Sequence, residues 1–190
     1  MDAIDQRIAH RIRTERQRHA LTLEALAERS GVSRAMISRI ERAEASATAA
    51  LLGRLCAGLG ISLAALFADD AKPQSPVSRA ADQPVWRDPA SGYLRRDVAP
   101  RGTGSPVEIV DVTFPPGARV AFKSPWLVRG IDQHVWVLDG TLELTLGATL
   151  HRLETGDCVH VRLDEPIAYR NPTDRAVRYA VILTLEKSRA

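Results

Sequence analysis

From Ile4 to Phe67 the apolar residues recur three and four positions apart: Ile4, Ile8 and Ile12, then Leu23, Leu26 and Ala27, then Val32, Ile37 and Ile40, then Leu51, Leu52, Leu55 and Leu59. That spacing gathers them on one face of each successive helix, and no period-two run interrupts it. Thr22 and Ser33 stand where a hydroxyl can cap a helix start. Gly31 separates two short helices, and Gly58 and Gly60 close another. The pattern predicts a unit of about five helices over residues 1–68.

Residues 69–84 carry prolines and serines and almost no large apolar side chain at their start, and read as a linker. From residue 85 to 190 the period changes to two. Val107 to Phe114, Val135 to Leu138, Thr141 to Leu146, Val159 to Leu163 and Val177 to Leu185 are short strand-like runs separated by turn residues. Thr141 to Leu146 alternates polar and apolar without a fault, directly after the hairpin signal Asp139-Gly140. Short strands at close spacing with no amphipathic helix predict a sandwich or barrel, so the chain reads as a helical head, a linker and a β-domain.

Charge sharpens this division. The net charge is +3, and Met1 to Ala68 holds all of it, with ten arginines, no lysine and seven acids. A basic head on a neutral partner suits nucleic-acid binding, and equally a solvated helical surface. With 45% hydrophobic and 26% charged residues the chain is far from a disordered composition. No apolar run is long enough for a membrane span, and the N-terminus lacks the order of a secretion signal, so a cytoplasmic protein is expected. Cys56 and Cys158 have neither metal nor redox spacing and read as free thiols.

Thr22 to Arg42 has helix-turn-helix spacing. The run Leu23-Glu24-Ala25-Leu26-Ala27, then Gly31-Val32-Ser33, then Ile37-Ser38-Arg39-Ile40-Glu41 resembles the Xre/Cro-type, lambda-repressor-like domain. The resemblance implies a second helix in the DNA major groove, with Ser33, Arg34, Ala35, Ser38 and Arg39 toward the bases. Arg34 and Arg39 are the candidate base readers, because a guanidinium can donate two parallel bonds to guanine. Thr22 and Ser33, at helix starts, are candidates for phosphate contacts, as are Arg7, Arg11 and Arg18 on one stripe of the first helix. The family often has glycine and proline after the recognition helix, where this chain has Ala43 and Ala47.

Pro115-Pro116-Gly117, Val137-Leu138-Asp139-Gly140, Leu153-Glu154-Thr155-Gly156-Asp157 and Asn171-Pro172 resemble a cupin, a double-stranded β-helix or jelly-roll barrel, of the type appended to Xre regulators. Trp86-Arg87-Asp88-Pro89 with Arg95-Arg96 resembles the lead-in strand of such proteins. The resemblance implies a metal held by three histidines and a glutamate. Those positions fall here on Lys123, Pro125, Gln133 and Ile167. No metal or other cofactor is therefore expected. His134, His151 and His160 read as structural or surface residues, with His160 facing away from the core beside Cys158. A pocket lined by Lys123, Trp126, Arg129, Gln133, Tyr169 and Asn171 would suit a small polar or anionic effector. The same residues also suit a barrel closed by Trp126 and Tyr169, with the cations solvated.

Together these readings favour a non-enzymatic transcriptional regulator, a homodimer through its barrels that binds double-stranded DNA at a palindromic operator. Two alternatives stay open. One is a cupin enzyme tethered to DNA by its head, for which parity leaves Tyr169 and His134 as acid-base groups. The other is an antitoxin-like regulator with a protein partner.

Overall fold

The N-terminal apolar stripes close on one another in five helices: α1 (Ala3–Arg18), α2 (Leu23–Ser30), α3 (Arg34–Glu41), α4 (Ala49–Leu59) and α5 (Leu63–Phe67). The computed structural model describes residues 3–67, 75–100, 102–122, 131–161 and 165–185. Ile8, Ile12, Leu26, Val32, Ile37, Ile40, Leu52, Leu55 and Leu59 are all buried, as their spacing predicts. Gly60 ends α4 in the left-handed conformation, φ +70°, with its N–H bonded to Ala57 and Cys56 carbonyls. Gly58 does not belong to that cap. It lies inside α4, where a Cβ would stand 3.0 Å from the Ser30 Cβ, so its missing side chain lets α4 approach α2.

Residues 75–84 carry a single 3-10 turn at Ala80–Asp82. Ten strands follow: β1 (Val85–Arg87), β2 (Leu94–Asp97), β3 (Val107–Phe114), β4 (Arg119–Phe122), β5 (Ile131–Asp139), β6 (Leu142–Leu146), β7 (Thr149–Leu153), β8 (Cys158–Val161), β9 (Ile167–Arg170) and β10 (Val177–Leu185). They form two sheets, β1-β2-β3-β10-β5-β8 and β4-β9-β6-β7, with every described pair antiparallel. Alternation decides what each sheet turns inward: Val110, Val112 and Phe114 from β3, Val135 and Val137 from β5, and Leu142 and Leu144 from β6 are buried. β3 and β10 match the runs read from sequence, whereas β1, β4 and β9 are too short for a periodic signal of their own.

Head and barrel share one apolar core rather than hanging on a tether. Phe67 of α5 packs on Trp86 of β1 with ring centroids 5.4 Å apart, and the Arg95 guanidinium lies 4.6 Å above the Phe67 ring. The buried Asp88 carboxylate accepts the Ala49 N–H at 2.8 Å and so covers the first turn of α4 from the barrel side. Its other oxygen accepts from the Ser91 N–H and hydroxyl.

Candidate functional site

Local hydrogen bonding builds the helix-turn-helix. Thr22 Oγ1 accepts the Ala25 N–H at 3.1 Å, and Ser33 Oγ accepts the Met36 N–H at 3.3 Å, so each residue caps its helix as its position predicts. The turn between them is held by Gly31, at φ +65°, and by the buried Ser30 hydroxyl. That hydroxyl donates to the Leu26 carbonyl at 2.6 Å and accepts the Val32 N–H at 3.3 Å. Ile37 and Ile40 anchor α3 to the core, which leaves Ser33, Arg34, Ala35 and Arg39 exposed along its outer face. Ser38 is half-buried and its hydroxyl oxygen accepts from Arg42. Arg34 pairs with Glu24 of α2 at 2.5 Å, both side chains being solvated, a contact that a phosphate or base can replace at little cost.

Arg11, a candidate phosphate contact, also has a partner on its own helix. Its Nε lies 3.3 Å from the buried Glu15 carboxylate on the next turn of α1, which draws the guanidinium toward the helix surface. Arg18 remains solvated. A stronger pair was not anticipated from sequence: Arg16 donates to both oxygens of Glu41, at 2.6 and 2.7 Å, and to the Leu21 carbonyl at 2.9 Å. Hydrogen bonding to Glu41 raises the Arg16 pKa above its already high ordinary value. The fork ties the end of α1 to the last turn of α3 and fixes the orientation of the exposed helix. In the sequence these residues lie 25 positions apart, and only their tertiary placement pairs them.

Ala43, after α3, holds φ +55°, a left-handed conformation that suits the glycine often found there in the resembled family. Ala47 is buried against the head core. The loop keeps its course despite both departures.

A cavity of about 100 Å³ lies between the two sheets. Gln133 and Tyr169, two expected pocket residues, line it, and Gln133 Nε2 donates to the Tyr169 hydroxyl at 3.2 Å. Burial holds the Tyr169 pKa well above that of a free phenol, so the hydroxyl stays neutral. Asn171, expected at the same mouth, does not line the cavity. Its fully buried amide donates to the carbonyls of Phe114, Pro115 and Arg175, and its oxygen accepts from Thr173, so it clamps the loop after β9. Lys123, Trp126 and Arg129 lie outside the described residues.

Ile167, which takes a metal-ligand histidine position in the resembled family, lines the cavity with no donor atom to offer. His134 points to the outer face and not into the barrel, which withdraws it from any chemistry in the cavity. Its ring lies 5.1 Å from that of His160 across the β5–β8 pair, and His160 in turn meets Asp132 at 2.5 Å. His151 lies on the edge strand β7. Among the described residues no group of three or more His, Cys, Asp or Glu side chains is placed to hold a metal. Sequence reading missed Arg95, Tyr93 and Tyr179, which also line the cavity. The register Trp86↔Arg95↔Val112 turns Arg95 inward, a signal visible only once the strands are paired.

Residues 12–66 match the helix-turn-helix family HTH_3, and residues 110–183 match the Cupin_2 family of cupin domains. The chain is similar to the HTH-type transcriptional regulator SutR of Escherichia coli (strain K12), with 28% identity over 173 residues, 91% of this chain and 92% of that protein. Its structure resembles that of an HTH_3 family transcriptional regulator from Vibrio cholerae, at 25% identity and a TM-score of 0.77, covering 97% of this chain and 98% of the other. A cupin domain of an XRE family transcriptional regulator from Enterobacter cloacae covers 50% of this chain, at 22% identity and a TM-score of 0.46, with 98% of its own length matched.

Proposed function

Because this chain belongs to the Xre-type helix-turn-helix transcriptional regulators that carry a cupin domain, we propose that it recognises a palindromic operator as a homodimer in the cytoplasm, under control of a small effector in its barrel. The observation that carries the reading is the outer face of α3. There Arg34 and Arg39 stand exposed behind a Ser33-capped helix start, on a scaffold oriented by the Arg16–Glu41 fork. Arginine in that place can donate two bonds to guanine O6 and N7, each such pair contributing about 1–3 kcal/mol of discrimination. The Thr22 and Ser33 helix starts offer backbone N–H groups and positive dipole ends to phosphates.

Pairing through the barrel is supported by the outer face of the six-stranded sheet. Trp136 is 46% exposed and Ile109 36% exposed on that face, with the His134–His160 pair beside them. A two-fold contact there would set two heads on half-sites about one helical turn, ~34–36 Å, apart. Catalysis is not part of this proposal: the metal-ligand position at Ile167 is apolar, and Gln133 and Tyr169 are engaged with each other.

Selection of bound sequences from random duplex DNA with the full chain tests the reading. A two-fold symmetric motif is expected. Arg34→Ala and Arg39→Ala together should lose the preference at specific positions, at about 10-fold or more per position, while residual salt-dependent binding persists. Enrichment of no motif by the wild-type protein, or an undiminished motif in the double variant, would refute it.

A further inference from the structure

The cavity between the sheets is not closed by the barrel alone. Ser62 and Leu63, at the α4–α5 junction of the helical head, form part of its wall. Ser62 is buried, and its hydroxyl caps α5 by accepting the Ala65 N–H at 2.8 Å. From this roof a run of aromatic rings passes down through the site. Phe67, Trp86, Tyr93, Phe114, Tyr179 and Tyr169 follow one another with centroid separations of 5.4, 5.7, 5.8, 6.2 and 5.8 Å. The head thus meets the cavity directly through Leu63 and through the Phe67–Trp86–Tyr93 stack.

The chemistry of the lining is one-sided. Most of the wall is aliphatic or aromatic, and no acidic side chain lines it among the described residues. Its one charged group among the described residues is the Arg95 cation, which lies with hydroxyls and the Gln133 amide. Arg95 is 5% exposed, with one guanidinium nitrogen on Asp97 and its face over Phe67. The hydroxyls of Tyr93 and Tyr179 meet no hydrogen-bond partner among the described residues, although both side chains are at least nine-tenths buried and line the cavity. Burial raises the pKa of both phenols, so both remain protonated and able to donate. A buried cation with spare N–H groups beside two unsatisfied hydroxyls calls for an acceptor-rich, anionic group. At about 100 Å³ the space is about two-thirds of the ~150 Å³ that admits the six carbons of benzene, which limits the occupant to about four or five non-hydrogen atoms.

We propose that the cavity binds a short linear aliphatic monocarboxylate of two or three carbons, its carboxylate on Arg95 and the Tyr93 hydroxyl and its alkyl end among the barrel valines, and that occupancy acts on the head through Leu63 and Phe67. This rests on the reading of the barrel as the effector domain and adds the ligand's class and its route to the head. Such a ligand touches a wall made by both modules, so it binds the docked and undocked arrangements unequally, which is the condition for control.

The test uses the full chain with propionate and its uncharged isostere propionamide, followed by calorimetry and by amide hydrogen exchange at Leu63–Phe67. Saturable binding of propionate is expected, with propionamide at least about 10-fold weaker. Exchange in α5 should slow on binding. Arg95→Lys, which keeps a charge for Asp97 but loses the fork, should weaken propionate about 10-fold. Val181→Phe fills the space from β10 without touching the charge and should abolish binding.

Equal affinity for acid and amide would overturn the ligand class. No saturable binding of either up to about 50 mM would overturn the site. Binding that leaves α5 exchange unchanged would overturn the coupling. None of these readouts contains DNA, so failure to enrich an operator motif would strike the regulator reading and leave the carboxylate site standing.

Discussion

Asp88 offers a direct measure of how firmly head and barrel are joined. It sits just past β1, is 1% exposed, and gives one carboxylate oxygen to the Ala49 N–H at 2.8 Å and the other to Ser91. Truncation to alanine leaves the Ala49 N–H without its acceptor in a place where Ala49 is itself buried, a loss of about 1–3 kcal/mol. It also removes an anion from the N-terminus of α4, about 0.3–1 kcal/mol more. The Ser91 groups are half-buried and recover water, so they add little.

Asp88→Ala should therefore destabilise the protein by about 2–4 kcal/mol. Asp88→Asn, which retains an acceptor for Ala49, should lose roughly half as much. Urea unfolding followed by far-UV circular dichroism, dominated by the helices, and by tryptophan fluorescence, from the barrel side, supplies the assay. The two probes should coincide in the wild-type protein because the core is shared, and separate in Asp88→Ala as the head unfolds first. A loss below about 0.5 kcal/mol, or coincident transitions in the variant, would show that the contact does not couple the two modules.

Three further outcomes follow from the head. In a double-mutant cycle, Arg16→Met and Glu41→Gln should each destabilise by about 2–4 kcal/mol, with a coupling above about 1 kcal/mol measured by denaturation; additive losses would deny the fork its role. Ala43→Gly relieves the left-handed conformation at φ +55° and should raise stability by about 0.5–1 kcal/mol, read as a higher melting temperature, with a lower one counting against strain at that turn. Gly58→Ala places a Cβ 3.0 Å from Ser30 Cβ and 3.2 Å from the Ser30 N, so overpacking should outweigh the gain in helix propensity and cost about 1 kcal/mol; a stabilised variant would mean that α2 and α4 separate freely.

Much of the architecture was legible from order and period alone. The helical stripes through Ile12, Leu26, Ile37 and Leu55, the caps Thr22 and Ser33, and the alternation of β3, β6 and β10 are local signals, because a helix or strand buries a face whose positions sit at fixed spacing in the chain. The contrast between a basic helical head and a neutral β-domain was legible for the same reason. The inward turn of Tyr169 and the outward turn of His160 also followed from parity, whereas Gln133 was placed by the resemblance to a cupin and parity left its neighbour His134 facing inward.

Tertiary structure alone decided what crosses between elements. The roles of Arg95 and Asp88, two charged residues that composition would place in solvent, depend on β1 and β2 meeting α4 and α5. Asn171 looked like a pocket donor until the loop brought Phe114, Pro115 and Arg175 carbonyls onto its amide. The Arg16–Glu41 fork and the roof of Ser62 and Leu63 over the barrel cavity likewise join residues distant in sequence. Period and propensity report how a segment meets its own neighbours in the chain, whereas the partner of a buried charge is set by which other segment closes on it. A desolvated carboxylate or guanidinium persists only where that partner is supplied, so the sites on which docking and ligand recognition rest were determined by packing.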